Sequence, residues 1–238
     1  MKVVVIGTGR LSSNLVPALT ESGHDVLTVN SRTLDGLPYE ADIFIIAVKD
    51  DALAEVISRV AKGREGQLIA HTAGSMPLSL FEGTTKHYGV FYPMQSFSKE
   101  RRVDFREIPL FLEATDSESL DKLRVLAESL SAHVYELTTS ERKYLHLAAV
   151  FACNFANHCY TLAADVLEQH GLPFSVMLPL VDETARKVHE LHPRAAQTGP
   201  AARHDEGVMS MQRQLLADNR QLQHIYDMLS DSIEKVKG

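Results

Sequence analysis

The residues of this chain whose types and spacing could do chemistry fall into three groups, the first of them near the start. Gly7-Thr8-Gly9-Arg10-Leu11-Ser12 follows the β-branched run Val3-Val4-Val5-Ile6, where a strand should hand over to a helix. In such a corner Gly7 permits a tight turn and Gly9 lets the backbone approach a ligand. The free N–H groups of the helix start, with their partial positive charge, suit a pyrophosphate. Ser12 stands where G-x-G-x-x-G has its third glycine, a small side chain at a position that serves helix–strand packing. Glycines alone would be weak evidence; their place directly after a strand makes the pattern specific. About 20 residues further on, sites that prefer NAD usually place an acid for the ribose hydroxyls. This chain has Asn30-Ser31-Arg32 there. Arg32 can pair with a 2′-phosphate and stack on adenine, and Asn30 and Ser31 offer neutral hydrogen bonds. The expected cofactor is therefore NADP(H). Ala47-Val48-Lys49 and His71-Thr72-Ala73-Gly74-Ser75 end two later apolar runs in the same layer. Contacts to the dinucleotide are expected from Ala47, Val48, Lys49, Thr72 and Ala73, with the nicotinamide half facing 71–75. Asp50 or Asp51 is expected to cap the helix that follows Lys49.

The second group is a stripe on a helix. At about 100° per residue, Lys143, His146, Asn154, Asn157 and Thr161 share an arc of about 80° on an otherwise apolar, alanine-rich helix. Polar groups on a core helix need partners, so the stripe should face a cleft or another polar element. The third group lies in loops. Pro93 breaks a strand and exposes Gln95, while Thr198-Gly199-Pro200-Ala201-Ala202-Arg203 offers a hydroxyl, a backbone approach at Gly199 and a guanidinium for an anion. His146 is the expected proton donor, because an imidazole suits acid–base work near neutrality. Lys143 is the alternative donor if burial lowers its pKa. Asn154 would orient the substrate, and Gln95, Asn157, Thr198, Gly199 and Arg203 would bind it.

The elements that must hold these groups follow from periodicity. Strands are expected at Val3–Ile6, Asp25–Val29, Ile43–Val48, Gln67–His71, His87–Phe91, Pro109–Glu113 and Ala132–Glu136, with helices at Leu11–Ser22, Asp51–Ala61 and Ser117–Ser131. Unalternated β-branched runs between helices indicate strands buried on both faces, hence an α/β fold with a mostly parallel sheet. From about Ser140 the strands stop. Helices are expected at Lys143–His170, Phe174–Leu191 (bent or delayed by Pro179) and Glu206–Val236, separated by Gly171-Leu172-Pro173 and the loop His192–Asp205. The division is residues 1–138 as the nucleotide-binding domain and 139–238 as an all-α domain for substrate and dimerisation.

Composition narrows the classes. The chain has 238 residues, 45% hydrophobic and 23% charged, an ordinary balance for a globular protein. A net charge of −7 argues against a nucleic-acid surface, which needs a basic footprint. The start of the chain lacks a signal-peptide pattern and no uncharged apolar stretch is long enough to span a membrane, so a cytoplasmic protein without membrane partners is expected. Cys153 and Cys159 point to different sides of a helix and read as two buried thiols rather than a disulfide. Among 11 histidines, His189 and His192 lack a supporting carboxylate or H-E-x-x-H pattern, so no metal is expected.

Taken in order, these motifs resemble the bacterial family that joins a Rossmann-like domain to a C-terminal domain of unknown function, similar to pyrroline-5-carboxylate reductases and the wider 6-phosphogluconate-dehydrogenase-like superfamily. Members commonly bear the provisional name NADP oxidoreductase. The resemblance spans nearly the whole chain. It rests on Val5-Ile6-Gly7-Thr8-Gly9, Asn30-Ser31-Arg32, Ala47-Val48-Lys49-Asp50, His71-Thr72-Ala73-Gly74-Ser75, Pro93-Met94-Gln95-Ser96-Phe97, His146-Leu147-Ala148-Ala149-Val150 with Asn154, and Thr198-Gly199-Pro200 with Arg203. It implies a cleft between sheet and helices and a homodimer built through the helical domains. Ser12 and His204 depart from the family pattern, the latter standing where relatives tend to have glycine. The expected activity is NADPH-dependent reduction of a small, anionic C=O or C=N compound. Two alternatives stay open: a non-catalytic NADP(H)-binding sensor or assembly protein, and a deazaflavin-dependent oxidoreductase.

Overall fold

Seven strands form one sheet in a computed structural model that describes residues 1–237. They are β1 (Lys2–Ile6), β2 (Asp25–Val29), β3 (Ile43–Ile46), β4 (Leu68–His71), β5 (His87–Pro93), β6 (Leu110–Ala114) and β7 (Val134–Glu136), in the order β2-β1-β3-β4-β5-β6-β7. All neighbours are parallel except β5 and β6, which pair antiparallel from Gly89↔Ala114 to Pro93↔Leu110. The α/β class and mostly parallel sheet expected above are what the chain adopts.

Alternation along the strands shows why the runs are apolar throughout. Val3, Val5, Ile43 and Ile45 pack on one face against Leu15 and Leu19 of α1 (Arg10–Glu21) and Leu123 and Leu126 of α3 (Ser117–Glu128). Val4, Ile6, Phe44 and Ile46 pack on the other against Leu53, Val56, Ile57 and Val60 of α2 (Asp50–Ala61). With both faces covered, every position on β1 and β3 must be apolar. The winding order, not the strand direction, reverses at β1, since β2 lies on one side of it and β3 on the other, so the turns after β1 and β3 flank a topological switch point.

The chain divides into two compact units, one running from Met1 to Phe155 and the other beginning at Ala156. The first includes α4 (Thr139–Ala149) and a π-helical stretch, Val150–Phe155. The helix therefore starts earlier than the expected Lys143. Thr138 accepts from the Glu141 amide and the Glu141 carboxylate returns the bond to the Thr138 amide, a capping box.

In the second unit α5 (Ala156–Gln169), α6 (Leu178–Glu190), α7 (Pro193–Ala196), α8 (Glu206–Leu215) and α9 (Arg220–Lys237) follow. Pro179 delays α6, as expected, behind a single 3-10 turn at Phe174–Met177. The single helix expected over Glu206–Val236 is two. The break falls at 216–219, where Asn219 Oδ1 accepts from the Leu222 amide and caps α9 at 3.0 Å. His204 lies in the left-handed region at φ 54°, a conformation that favours glycine. Its ring faces Glu234 at 3.6 Å.

Candidate functional site

The turn after β1 has the geometry a phosphate needs. Gly7 has φ 127°, and a Cβ there would stand 2.2 Å from the Ala47 carbonyl oxygen, so only glycine fits. Nothing lies within 4 Å of where a Gly9 Cβ would be, and no side chain caps α1. Thr8, Gly9 and Arg10 are exposed and Leu11 half-buried. The first amides of α1 thus face open space. Ser12 Oγ is buried beside them without a hydrogen-bond partner. Unpaired donors and an orphaned hydroxyl around an open corner fit a dinucleotide's bridging phosphates. Gly7 N donates to Val29 O (2.9 Å), Ala47 N to Ile6 O (2.8 Å) and Thr72 N to Ile46 O (3.2 Å), which aligns the ends of β2, β1, β3 and β4 along one edge. Ala47, half-buried Val48, exposed Lys49, buried Thr72 and half-buried Ala73 lie on that edge.

Asn30 and Arg32 are exposed and Ser31 is half-buried at the end of β2. Asn30 Oδ1 accepts from the Arg32 amide at 2.9 Å and shapes the turn. Sequence reading missed Arg59 on α2, whose guanidinium donates to the carbonyls of Arg32 (2.8 Å) and Ser31 (3.4 Å). A long cation reaching back from the next helix leaves no local signal. Asn14 was missed for the same reason. Buried on α1, it donates to Ser98 O at 2.9 Å and accepts from the Val103 amide at 3.3 Å, pinning the 98–103 segment to the dinucleotide turn.

Asp50 and Asp51 do not cap α2 as expected. Lys49 is the N-cap residue and makes no side-chain bond, while the Asp50 carboxylate accepts from Ser75 Oγ. His71 also departs from expectation. It is fully buried and stacked on Phe81 (5.6 Å, 7°), so it cannot face a nicotinamide. Its Nδ1 accepts from the Ala73 amide at 3.1 Å, and Nε2 has no partner. Burial, reinforced by the Arg142 charge and weakly opposed by the Pro77 carbonyl, pushes its pKa down to about 3.

Arg142, 1% exposed, organises the loop after β4. Its Nη1 donates to the carbonyls of Ala73 (3.1 Å), Gly74 (3.0 Å) and Met76 (2.7 Å), and its Nη2 to Glu113 (2.7 Å) and Thr139 Oγ1 (3.1 Å). Gly74 is thereby held where a Cβ would meet His146 Nδ1 at 2.6 Å and Tyr92 Cζ at 2.8 Å. Tyr92 OH and His146 Nδ1 are 3.1 Å apart. Burial raises the Tyr92 pKa, with the Arg142 charge opposing, so the phenol keeps its proton. Neither Arg142 nor Tyr92 was singled out from sequence, because each acts through partners remote in the chain.

A cavity of about 500 Å³ lies beside this pair. Tyr92, Gln95, His146 and Asn154 line it together with apolar residues of α4 and the π-helical stretch. The structure thus brings His146, Asn154 and Gln95 together. Lys143 is exposed and is not among the lining residues. The common stripe assumed regular α-helical turns. Wider π turns across Val150–Phe155 change the angular step, so positions beyond it lose the assumed phase. Asn157 and Thr161 belong to the second unit, where both are exposed and Thr161 Oγ1 donates to Asn157 O. Thr198 and Arg203 are exposed in that unit, and Gly199 has φ 108°.

This fold, with its glycine corner at the switch point, is that of the doubly wound dinucleotide-binding proteins. Within that class, residues 108–233 match the domain of unknown function DUF2520, and the chain belongs to that family. A provisionally named NADP oxidoreductase from Bacteroides fragilis is 45% identical over 98% of each chain, with a TM-score of 0.92. An imine reductase from Streptomyces aurantiacus shares the fold at 16% identity, covering 98% of this chain and 96% of its own, with a TM-score of 0.64. So does the pyrroline carboxylate reductase of Plasmodium falciparum, solved with NADP bound, at 11% identity over 100% and 98% of the two chains and a TM-score of 0.62. A comparison with curated proteins found no match.

Proposed function

We propose that this chain is an NADP(H)-dependent oxidoreductase that reduces a small C=O or C=N compound. One observation carries the reading: an open corner at Gly7–Ser12 with unpaired amides and an orphaned hydroxyl. Gly7–Ser12 hold the pyrophosphate, Arg32 the 2′-phosphate with Asn30 and Ser31 beside it, and Ala47, Val48, Lys49, Thr72 and Ala73 contact the rest of the dinucleotide. When bound, reduced nicotinamide supplies a hydride. His146 donates to the substrate's polar atom and Asn154 and Gln95 orient it. The open cavity lined by His146 and Asn154 favours an enzyme over a sensor, in which that space would be filled. Residues 1–138 serve the cofactor and 139–238 the substrate and dimerisation. Exposed Leu147, Phe151 and Phe155 in the first unit support a homodimer, as do exposed Leu172, Val176, Leu178 and Leu180 in the second. Among the described residues no helix is long and apolar enough to cross a membrane, and a cytoplasmic setting is proposed with the rest.

Titration with NADPH and NADH tests this. Wild type should prefer NADPH, and Arg32→Ala should lose about 10- to 100-fold in NADPH affinity, the worth of a charged hydrogen bond, with NADH little changed. NADPH binding that ignores Arg32 overturns the specificity assignment, and no NADPH binding overturns the reading itself, leaving deazaflavin as the cofactor to try.

A further inference from the structure

The Tyr92–His146 contact decides more than the placement of a ring. Tyr92 is 8% exposed and its phenol is protonated, so its O–H needs an acceptor. Among the described residues His146 Nδ1, at 3.1 Å, is the hydroxyl's one hydrogen-bond partner. If Nδ1 carried the ring proton it would donate to the phenol oxygen, and the phenol proton would then have no protein acceptor among the described residues. The neutral imidazole is therefore protonated at Nε2. Gly74 closes around Nδ1 from the other side, which leaves Nε2 as the nitrogen free to act. Among the described residues Nε2 has no protein partner, and it is not sealed from solvent.

The cavity's other walls narrow what meets that N–H. Met94, Leu145, Ala149 and Val150 are apolar, and the polar lining is confined to uncharged groups such as the Gln95 and Asn154 amides. Among the described residues no Asp, Glu, Lys or Arg of the first unit lines the space, so a charged group inside it would lose water without gaining a counter-ion there. A protonated iminium would moreover present a donor to a donor. We propose that this cavity binds an uncharged, largely apolar carbonyl compound whose oxygen accepts from the Nε2–H of His146, with Tyr92 as the positioning residue that fixes the tautomer. The assignment rests on the oxidoreductase reading and narrows it to a ketone or aldehyde. A neutral imidazole used in this way polarises the carbonyl as an electrophile rather than as an imidazolium acid.

The test is ¹⁵N NMR of the full chain with labelled histidine, at about pH 8 so that exposed imidazoles are neutral. His146→Gln identifies the signal among the 11 histidines. Wild type should show the Nε2–H tautomer at His146. Tyr92→Phe keeps the ring's packing beside Phe111 and should shift the tautomer ratio by about fivefold towards Nδ1–H, the worth of one hydrogen bond. Cyclohexanone should perturb the His146 Nε2–H signal and bind more tightly than cyclohexanecarboxylate or cyclohexylammonium, and Tyr92→Phe should weaken it by a similar factor. An Nδ1–H tautomer in wild type, an unmoved ratio in Tyr92→Phe, or a charged analogue binding as tightly as the ketone overturns the proposal. NADPH titration of the same samples separates the two readings. Lost cofactor binding with tautomer and ketone preference intact sinks the oxidoreductase reading alone, whereas intact cofactor binding with the wrong tautomer sinks this one alone.

Discussion

Replacing Arg142 with alanine should be among the most damaging single changes in the first unit. The guanidinium is 1% exposed and its partner Glu113 only 16% exposed, so both ions of this pair have left water. Truncation strands the Glu113 carboxylate and frees the carbonyls of Ala73, Gly74 and Met76 at once. Removing one member of a buried pair costs about 3–5 kcal/mol. In a unit of this size that lowers Tm by roughly 10 °C. Circular dichroism melts suit the measurement, since the chain has no tryptophan. Glu113→Gln added to Arg142→Ala should recover part of the loss, because the stranded charge disappears. Arg142→Lys should fall between wild type and alanine, keeping the charge but not the fork that spans three carbonyls and a carboxylate. An Arg142→Ala variant within 1 kcal/mol of wild type, or a double variant no better than the single, refutes the assignment of Arg142 as the hub of the 73–76 loop.

Two further outcomes follow from the same geometry. Gly7→Ala should lose about 1–3 kcal/mol through its φ of 127° alone, more because its Cβ would press on the Ala47 carbonyl, and should abolish NADPH binding by fluorescence titration; a stable variant with unchanged affinity contradicts the turn's role. His71 gives stability a pH dependence. Its folded pKa is depressed from 6.5 to about 3, so unfolding takes up a proton between those values and the contribution, full above pH 6.5, is lost as pH falls towards 3. The wild-type slope should exceed that of His71→Gln by up to about 1.4 kcal/mol per pH unit in denaturant titrations; an equal slope in both proteins would show that another group is responsible.

The first half was legible because its signals are local. A strand buried on both faces must be apolar at every residue, and the periodicity of 3.6 in α1 and α2 reports the single face each buries. Asp25–Val29 was expected and found with the same ends, and Gly7, with its positive φ against the Ala47 carbonyl, announced itself by residue type alone. The helical half was legible in content but not in phase. A π-helical stretch at Val150–Phe155 and the break at 216–219 depend on hydrogen bonds whose alternatives differ little along the chain. His146 and Asn154 line one cavity, while exposed Lys143 is not among its lining residues. What folding alone could decide is which distant groups share a desolvated space. Arg142 reads as one more charge on a polar helix start, and Tyr92 as an aromatic just past the end of a strand. Only burial turns the first into a clamp on a loop 66–69 residues away and the second into the group that sets a histidine's proton, because hydrogen-bond demands become binding once water is gone.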